Sequence, residues 1–454
     1  MLEIILPKCV SNRVLACVGI LYLSNGRFIF RPQTPKCNGG DKKPARLAAT
    51  GHITDFEKEY AMNKKLIAVV LAALPVVAMA DVTLYGAIKG DVESNSITNG
   101  KSQGAVQDDT SVVGFKGTED LGNGLKTVWQ VENRVHVDGS GSSDTFGSRQ
   151  TFVGLDGGNL GLVRLGYVNN FMNDQDSVDQ WQYASTVGTS GANGLGIFTN
   201  SGDRIKNAIR YDSATFAGFS AGIEYGFGEN ATNSGDTPAT KNGNGTANKS
   251  SSIIGVGLNY SYNDALAAHY SLQRENNPLA AYKSADSTSV TAQSNNGQAA
   301  TKQVFEIDYS ANNLFVSGAY QWSTGYDWAD DFSGDGVSNS NLATSTAYSS
   351  TLTNAGLQLK ARQAALSVAY TIGAFTPKAT YAKGWDLKAN NSTIADSGYR
   401  QYVFGVDYAL SKRTTAGVSY GNVNYGKGTS VAASDGATSS VTLKTVALTL
   451  AHSF

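Results

Sequence analysis

From residue 81 onward the chain alternates apolar and polar side chains, and few folds can accept that pattern over such a length. Phe219, Ala221, Ile223, Tyr225 and Phe227 share one parity, and Ser220, Gly222 and Glu224 the other. The same period of two recurs at Val256, Leu258, Tyr260 and Tyr262, and at Phe404, Val406, Tyr408 and Leu410. It recurs again at Val446, Leu448, Leu450, His452 and Phe454. Successive side chains of a strand point to opposite faces, so each strand has one apolar and one polar side. The polar side here is too continuous for a buried core. A closed barrel with lipid outside and water inside satisfies both faces and leaves no unpaired backbone.

Charged residues are 16% of the chain, against about 25% in soluble domains. Mean hydropathy is −0.22, a value that hides a barrel because each strand is half polar. No apolar run after residue 80 is long enough for a spanning helix.

The amino terminus reads as two pieces. Met62-Asn63-Lys64-Lys65, an apolar run from Leu66 to Met79, and Ala78-Met79-Ala80 follow the order of a secretory signal peptide, predicting residues 62–80 as signal and cleavage between Ala80 and Asp81. Residues 1–61 hold all three cysteines and show no alternation; they read as an upstream extension from a misassigned start, with 81–454 as the barrel domain. Without residues 1–80 the chain carries 25 basic and 32 acidic residues, a net charge of −7, with no nucleic-acid signature.

Connections count the strands. Seven tight turns rich in Gly, Asn and Asp, such as Glu119–Gly124 and Asp156–Asn159, alternate with eight long polar segments: 94–110, 136–148, 169–203, 229–250, 275–301, 324–355, 386–399 and 426–440. Fifteen connections join sixteen antiparallel strands. Short turns belong to the periplasmic side and long loops to the outer side.

Parity then sorts charge. Outward Val113 and Phe115 leave Lys116 in the lumen; outward Trp129 and Val131 leave Arg134 there. Val163 and Leu165 do the same for Arg164, and Ile209 and Tyr211 for Lys206 and Arg210. A charge on the lipid face at the midplane would cost about 2–4 kcal/mol.

Several blocks resemble the trimeric porins of the neisserial and related β-proteobacterial type: Asp81-Val82-Thr83-Leu84-Tyr85-Gly86, Gly114 to Lys126, Arg149 to Leu155, Asn207 to Ser213, and the terminal Phe454. The resemblance covers residues 81–454. It implies an all-β, 16-stranded transmembrane barrel in the outer membrane of a Gram-negative bacterium, a homotrimer, and passive diffusion of ions and small hydrophilic solutes. It implies that the third loop, 169–203, folds inward, setting Asp174, Asp176 and Asp179 against the basic wall of Lys116, Arg134, Arg164, Lys206 and Arg210. It implies that Phe454 is the signal read by the barrel assembly machinery, and that outer-membrane lipid and lipopolysaccharide surround the wall. The family often has Arg where Val112 and Tyr167 stand, so weaker anion selectivity is expected here.

No cofactor or metal site is expected: His136, His269 and His452 are scattered, and Gly122-Asn123-Gly124-Leu125 lacks the Lys-Ser/Thr of a phosphate loop. The alternatives are a non-conducting adhesin-like barrel or a barrel hydrolase. Sixteen strands leave an aqueous channel unless plugged, and His136 is the single candidate base, so no enzyme is expected.

Overall fold

A computed structural model describes residues 18–24, 27–33, 81–139, 145–181, 184–185, 192–193, 195, 198, 202–227, 252–263, 265–276, 299–325, 358–389, 391–427 and 440–454. The chain divides into two units, Met1–Val76 and Val77–Phe454. In the first, Val18–Ser24 pairs antiparallel with Arg27–Gln33 as a hairpin. The proposed signal segment, including Ala80, lies outside the described residues.

The second unit is a closed antiparallel barrel of sixteen strands. In chain order they are β1 (Asp81–Ile97), β2 (Gln103–Asp108 continued by Ser111–Gly122), β3 (Leu125–Val135), β4 (Thr151–Asp156), β5 (Leu162–Asn169), β6 (Arg204–Asp212), β7 (Phe219–Gly226) and β8 (Ser252–Tyr262). There follow β9 (Leu266–Asn276), β10 (Ala299–Ala311), β11 (Leu314–Gly325), β12 (Leu359–Tyr370), β13 (Phe375–Gly384), β14 (Tyr399–Ala409), β15 (Thr414–Tyr425) and β16 (Val441–Ser453). Closure is made where β16 pairs with β1, from Leu443 opposite Ile97 to Ser453 opposite Ala87. Phe454 completes the seam: its N–H donates to the Gly86 carbonyl at 3.0 Å, and the Gly86 N–H donates back at 3.2 Å.

The outward parity is apolar and exposed, as lipid demands: Leu84, Phe115, Val153, Leu165, Ile223, Phe305, Leu366, Phe404, Val418 and Leu448. Tight turns use left-handed backbone at Asn123 and Asn312 (φ 54° and 53°), positions Asn tolerates.

Segment 94–110 differs from its expectation as a loop. β1 runs to Ile97 and β2 begins at Gln103, with Val92 opposite Val106 on the lipid side. Asp91, Glu93 and Asn95 make this stretch look soluble, but they are the inward parity of a continuing strand and are buried.

Candidate functional site

The described residues of the third connection, between Asn170 and Asp203, fold into the barrel, and residues 170–181 are fastened to the wall. Its base is closed by Asn170, whose N–H donates to the Asp203 carbonyl at 2.8 Å. The Asn170 side chain accepts the Asp203 N–H and donates to Gln273 on β9. Phe171 lies on bare backbone: a Cβ added to Gly222 or Gly257 would sit 2.5 or 2.3 Å from its ring. On its other side the Arg210 guanidinium stands 3.9 Å from the ring centroid.

Further along, Gln175 donates to Asn259 at 2.6 Å and accepts from the Ser271 hydroxyl. The Glu306 carboxylate accepts the backbone N–H groups of Ser177 and Val178 at 3.1 and 3.2 Å. The Val178 carbonyl accepts from Ser367, and the Gln180 carbonyl from Lys378. Trp181 donates its indole N–H to Thr380 at 2.9 Å, with the Lys378 ammonium over its ring. Val178, Trp181, Leu195 and Phe198 are buried among Ala319, Ala365, Ala382, Val403 and Val423 of the wall. The loop thus crosses the inner faces of β7 to β15, and its two-residue strand Ala184–Ser185 lies against β1 and β2.

The wall from β2 to β6 carries a network of charged pairs. Arg164 pairs with Asp212 at 2.6 Å, and Arg210, only 5% exposed, pairs with Asp212 at 2.8 Å and with Asp174 at 2.7 Å. Arg134 pairs with Asp108 at 3.4 Å. Arg149 pairs with Glu132, which also accepts the Tyr85 hydroxyl. Lys116 lies over the Tyr85 ring, 5.1 Å from its centroid.

Two expected positions are corrected. The register between β5 and β6 shifts between Ile205 and Ala208, adding a residue where Asn207 takes φ 48°. Ile205 and Ala208 are therefore both buried on the side of Arg210. Lys206 leaves that row and lies over the Tyr167 ring, which it shares with Arg204. Asp174 does not face Arg210 across an aperture; the two are in direct contact, because the loop starts on the same wall.

The remaining loop acids differ from each other. Asp179 accepts the backbone N–H groups of Trp181 and Leu195, so its carboxylate ties two parts of the loop together. Burial pushes its pKa up to about 7. Asp176 is exposed to the lumen yet enclosed by protein on several sides, and that enclosure, with Asp174 nearby, raises it to about 6.

Parity reasoning found the charged wall and missed the seat. Its signal was nonetheless present: the inward positions of β7 to β13 include Gly222, Gly257, Ser271, Ser317, Ala319, Ala365, Ser367 and Ala382. A lumen lined by such small residues leaves room for another layer of chain.

Among the described residues no helix is long and apolar enough to cross a membrane; the strands cross it. A closed sixteen-stranded barrel with a lipid-facing apolar band and a polar interior narrowed by its own loop is the class of outer-membrane channels. Residues 68–428 match the Gram-negative porin family, and the chain belongs to it. It is 32% identical over 380 residues to the major outer membrane protein P.IB of Neisseria sicca, covering 81% of this chain and 95% of that one. It is 32% identical to the P.IA protein of Neisseria meningitidis serogroup C, covering 79% and 93%. Among solved structures, the anion-selective porin from Comamonas acidovorans superposes with a TM-score of 0.56 at 23% identity, covering 83% of this chain and all of that one. OmpF of Salmonella typhi gives 0.53 at 18%, covering 83% and 98%. The protein is an outer-membrane porin, forming a water-filled channel for passive diffusion of ions and small hydrophilic solutes.

Proposed function

We propose that the pore is narrowed between the third loop, with Asp176 as its lumen-exposed acid, and a basic wall formed by Lys116, Arg134 and Arg164. The observation that carries this is the line of hydrogen bonds fastening residues 170–181 to the inside of the barrel, from Gln273 to Thr380. Rings of fixed charge set ion preference in a pore, and low-dielectric walls concentrate their field. Arg210 and Asp174 cancel one another and act as the loop's anchor. Asp179 serves the loop's internal geometry, and Lys206 stands apart from the row. Polar solutes orient in the transverse field; apolar ones must displace ordered water.

Reversal potentials in planar bilayers under a salt gradient test this. R134Q/R164Q is expected to shift the reversal potential toward cation preference. An unchanged potential, with the barrel folded, sinks the assignment. The same reading has the protein act as a homotrimer without catalysis, matured between Ala80 and Asp81, with residues 1–61 an untranslated extension and Phe454 read by the assembly machinery. Conductance closing in three equal steps supports the trimer. The mass of the purified protein tests its amino terminus, since any peptide from 1–61 overturns that part.

A further inference from the structure

Outside the pore, the barrel wall carries a positive cluster at the long-loop end of β12, β13 and β14. Arg362, Lys383 and Arg400 have the outward parity: their chain neighbours Gln363, Gly384, Tyr399 and Gln401 are buried inward. Lys383 and Arg400 are direct cross-strand partners. Like charges placed opposite each other oppose strand pairing; Lys383 is held over the Trp385 ring, 5.1 Å from its centroid, while Arg400 adds only repulsion to that pair. Arg362 joins them on the next strand, where its carbonyl accepts the Trp385 N–H at 3.0 Å. None of the three has a carboxylate within ion-pair distance among the described residues.

The cluster surrounds an open cavity of about 640 Å³, to whose lining Lys388 adds a further positive charge. The acids on its lining are engaged: Asp396 pairs with Lys427 at 3.1 Å, and Asp386 accepts the Gly398 N–H at 2.9 Å. A second cavity of about 660 Å³ continues it over β11, sharing Arg362, Asp386 and Lys388 and reaching Tyr320 and Trp322. Aromatic rings border the charge: Tyr320 and Trp385 lie 6.0 Å apart, and Tyr381 and Tyr402 5.0 Å apart. Further from the loops the same face becomes purely apolar, with Leu366, Val368 and Phe404 exposed. The sequence charge, interfacial rings, hydrocarbon matches the profile of one amphiphile standing against the wall.

We propose that this face is a binding site for a phosphorylated lipid of the outer leaflet, its phosphate held by Arg362, Lys383 and Arg400 and its acyl chains laid along Leu366 and Phe404. The site deepens the outer-membrane location and does not involve the pore. A guanidinium pairs two donors with one phosphate, and a bound dianion turns the Lys383–Arg400 repulsion into shared attraction. Cations that merely reach for water at a membrane boundary have no reason to be set opposite one another.

Wild-type protein and R362Q/K383Q/R400Q, folded in detergent, are titrated with diphosphorylated lipid A, with its dephosphorylated form, and with inorganic phosphate. Wild type is expected to bind the diphosphorylated lipid at least about tenfold more tightly than the variant does, and about tenfold more tightly than it binds the dephosphorylated form. Equal binding by wild type and variant overturns the site. Inorganic phosphate that displaces the lipid at equal concentration overturns the lipid assignment in favour of a free anion. The single variant K383Q gives a reading should the triple variant fail to fold. Removing Lys383 takes away both its repulsion with Arg400 and its contact with the Trp385 ring, so the reading is the lipid-induced rise in melting temperature, of which K383Q is expected to lose most. A lipid-induced rise equal to that of wild type overturns the proposal. Conductance in neutral-lipid bilayers stays at the wild-type value for either variant, which separates failure here from failure of the pore reading.

Discussion

The inner wall of this barrel is built in two ways. From β2 to β6 it presents long charged side chains, Lys116, Glu132, Arg134, Arg164 and Arg210, most of them ion-paired. From β7 to β13 many positions of the same parity are Gly, Ala or Ser, while Glu224, Lys302, Glu306 and Lys378 among them are charged and buried. The third loop lies over this surface, held by Glu306 and Lys378. Both halves meet the same demand, filling a wide lumen with polar-compatible material. One does it with side chains alone, the other with small side chains, a few buried polar groups that bond the loop, and a second layer of chain. The difference teaches that lumen character follows from what lies over the wall as much as from the wall's own residues. Arg210 belongs to both halves, since it is part of the charged network and also the clamp on Phe171 and Asp174.

Removing Arg210 is therefore expected to break the contrast most completely. R210M leaves Asp174 and the buried Glu224 without their cation and Asp212 with Arg164 alone. Breaking a fully buried pair costs about 3–5 kcal/mol, and the partial exposure of Asp174 and Asp212 sets the loss at or below the lower end. Thermal unfolding in detergent should show this loss, accompanied by noisy, enlarged single-channel currents as the loop base comes free. A stable barrel with quiet wild-type conductance would show that the clamp is dispensable.

Gly257→Leu attacks the seat alone. Its first side-chain carbon would already overlap the Phe171 ring, and overpacking of this kind costs about 1–3 kcal/mol. The expected result is a barrel that still folds, with a larger conductance; G318A, where an added Cβ finds room, should leave both properties unchanged. Limited proteolysis within 170–203, faster in G257L than in wild type, reads the same release directly.

Acidity sharpens the comparison with a smaller effect. Asp176 and Asp179 have pKa values raised to about 6 and about 7 by enclosure. A raised acid holds its proton more tightly in the docked loop than in a free one. Docking therefore strengthens as pH falls from about 7 toward the ordinary carboxylate value, and gains nothing further below it. Over the same window the loop loses negative charge while the arginines of the wall keep theirs. The reversal potential should move toward anions between pH 7.5 and pH 5, and D176N should remove much of that movement. A pH-independent potential in wild type would show that the loop acids do not face the permeant ions.

The outer surface of the fold was legible because lipid imposes a binary choice on every second residue. Phe115, Leu165, Phe404 and Leu448 could be placed from parity alone, and so could Arg134 and Arg164 on the opposite side. Lys206 could not, because one extra residue at Asn207 resets the count and nothing local announces it. The loop's seat was hidden for a different reason. Glu306 receives N–H groups from residues more than a hundred positions earlier, a pairing that no period of two encodes. Gly222 and Gly257 read as weak strand residues until Phe171 is seen to occupy the space they leave.

The seam has a consequence in time. The Thr445 hydroxyl donates to Asn95 across 350 positions of chain, and Phe454 exchanges two hydrogen bonds with Gly86. Every other neighbour pair in the barrel can form as soon as a hairpin is made; this pair must wait for the whole ribbon. Contacts of such separation carry the full entropic cost of ring closure and slow folding accordingly. Until they form, β1 and β16 each have a raw edge of unpaired N–H and C=O groups, which hydrocarbon does not tolerate. The last stitch thus carries the largest closure cost of any pair in the barrel, and a chain halted just before it is a sheet with two adhesive edges rather than an almost finished pore.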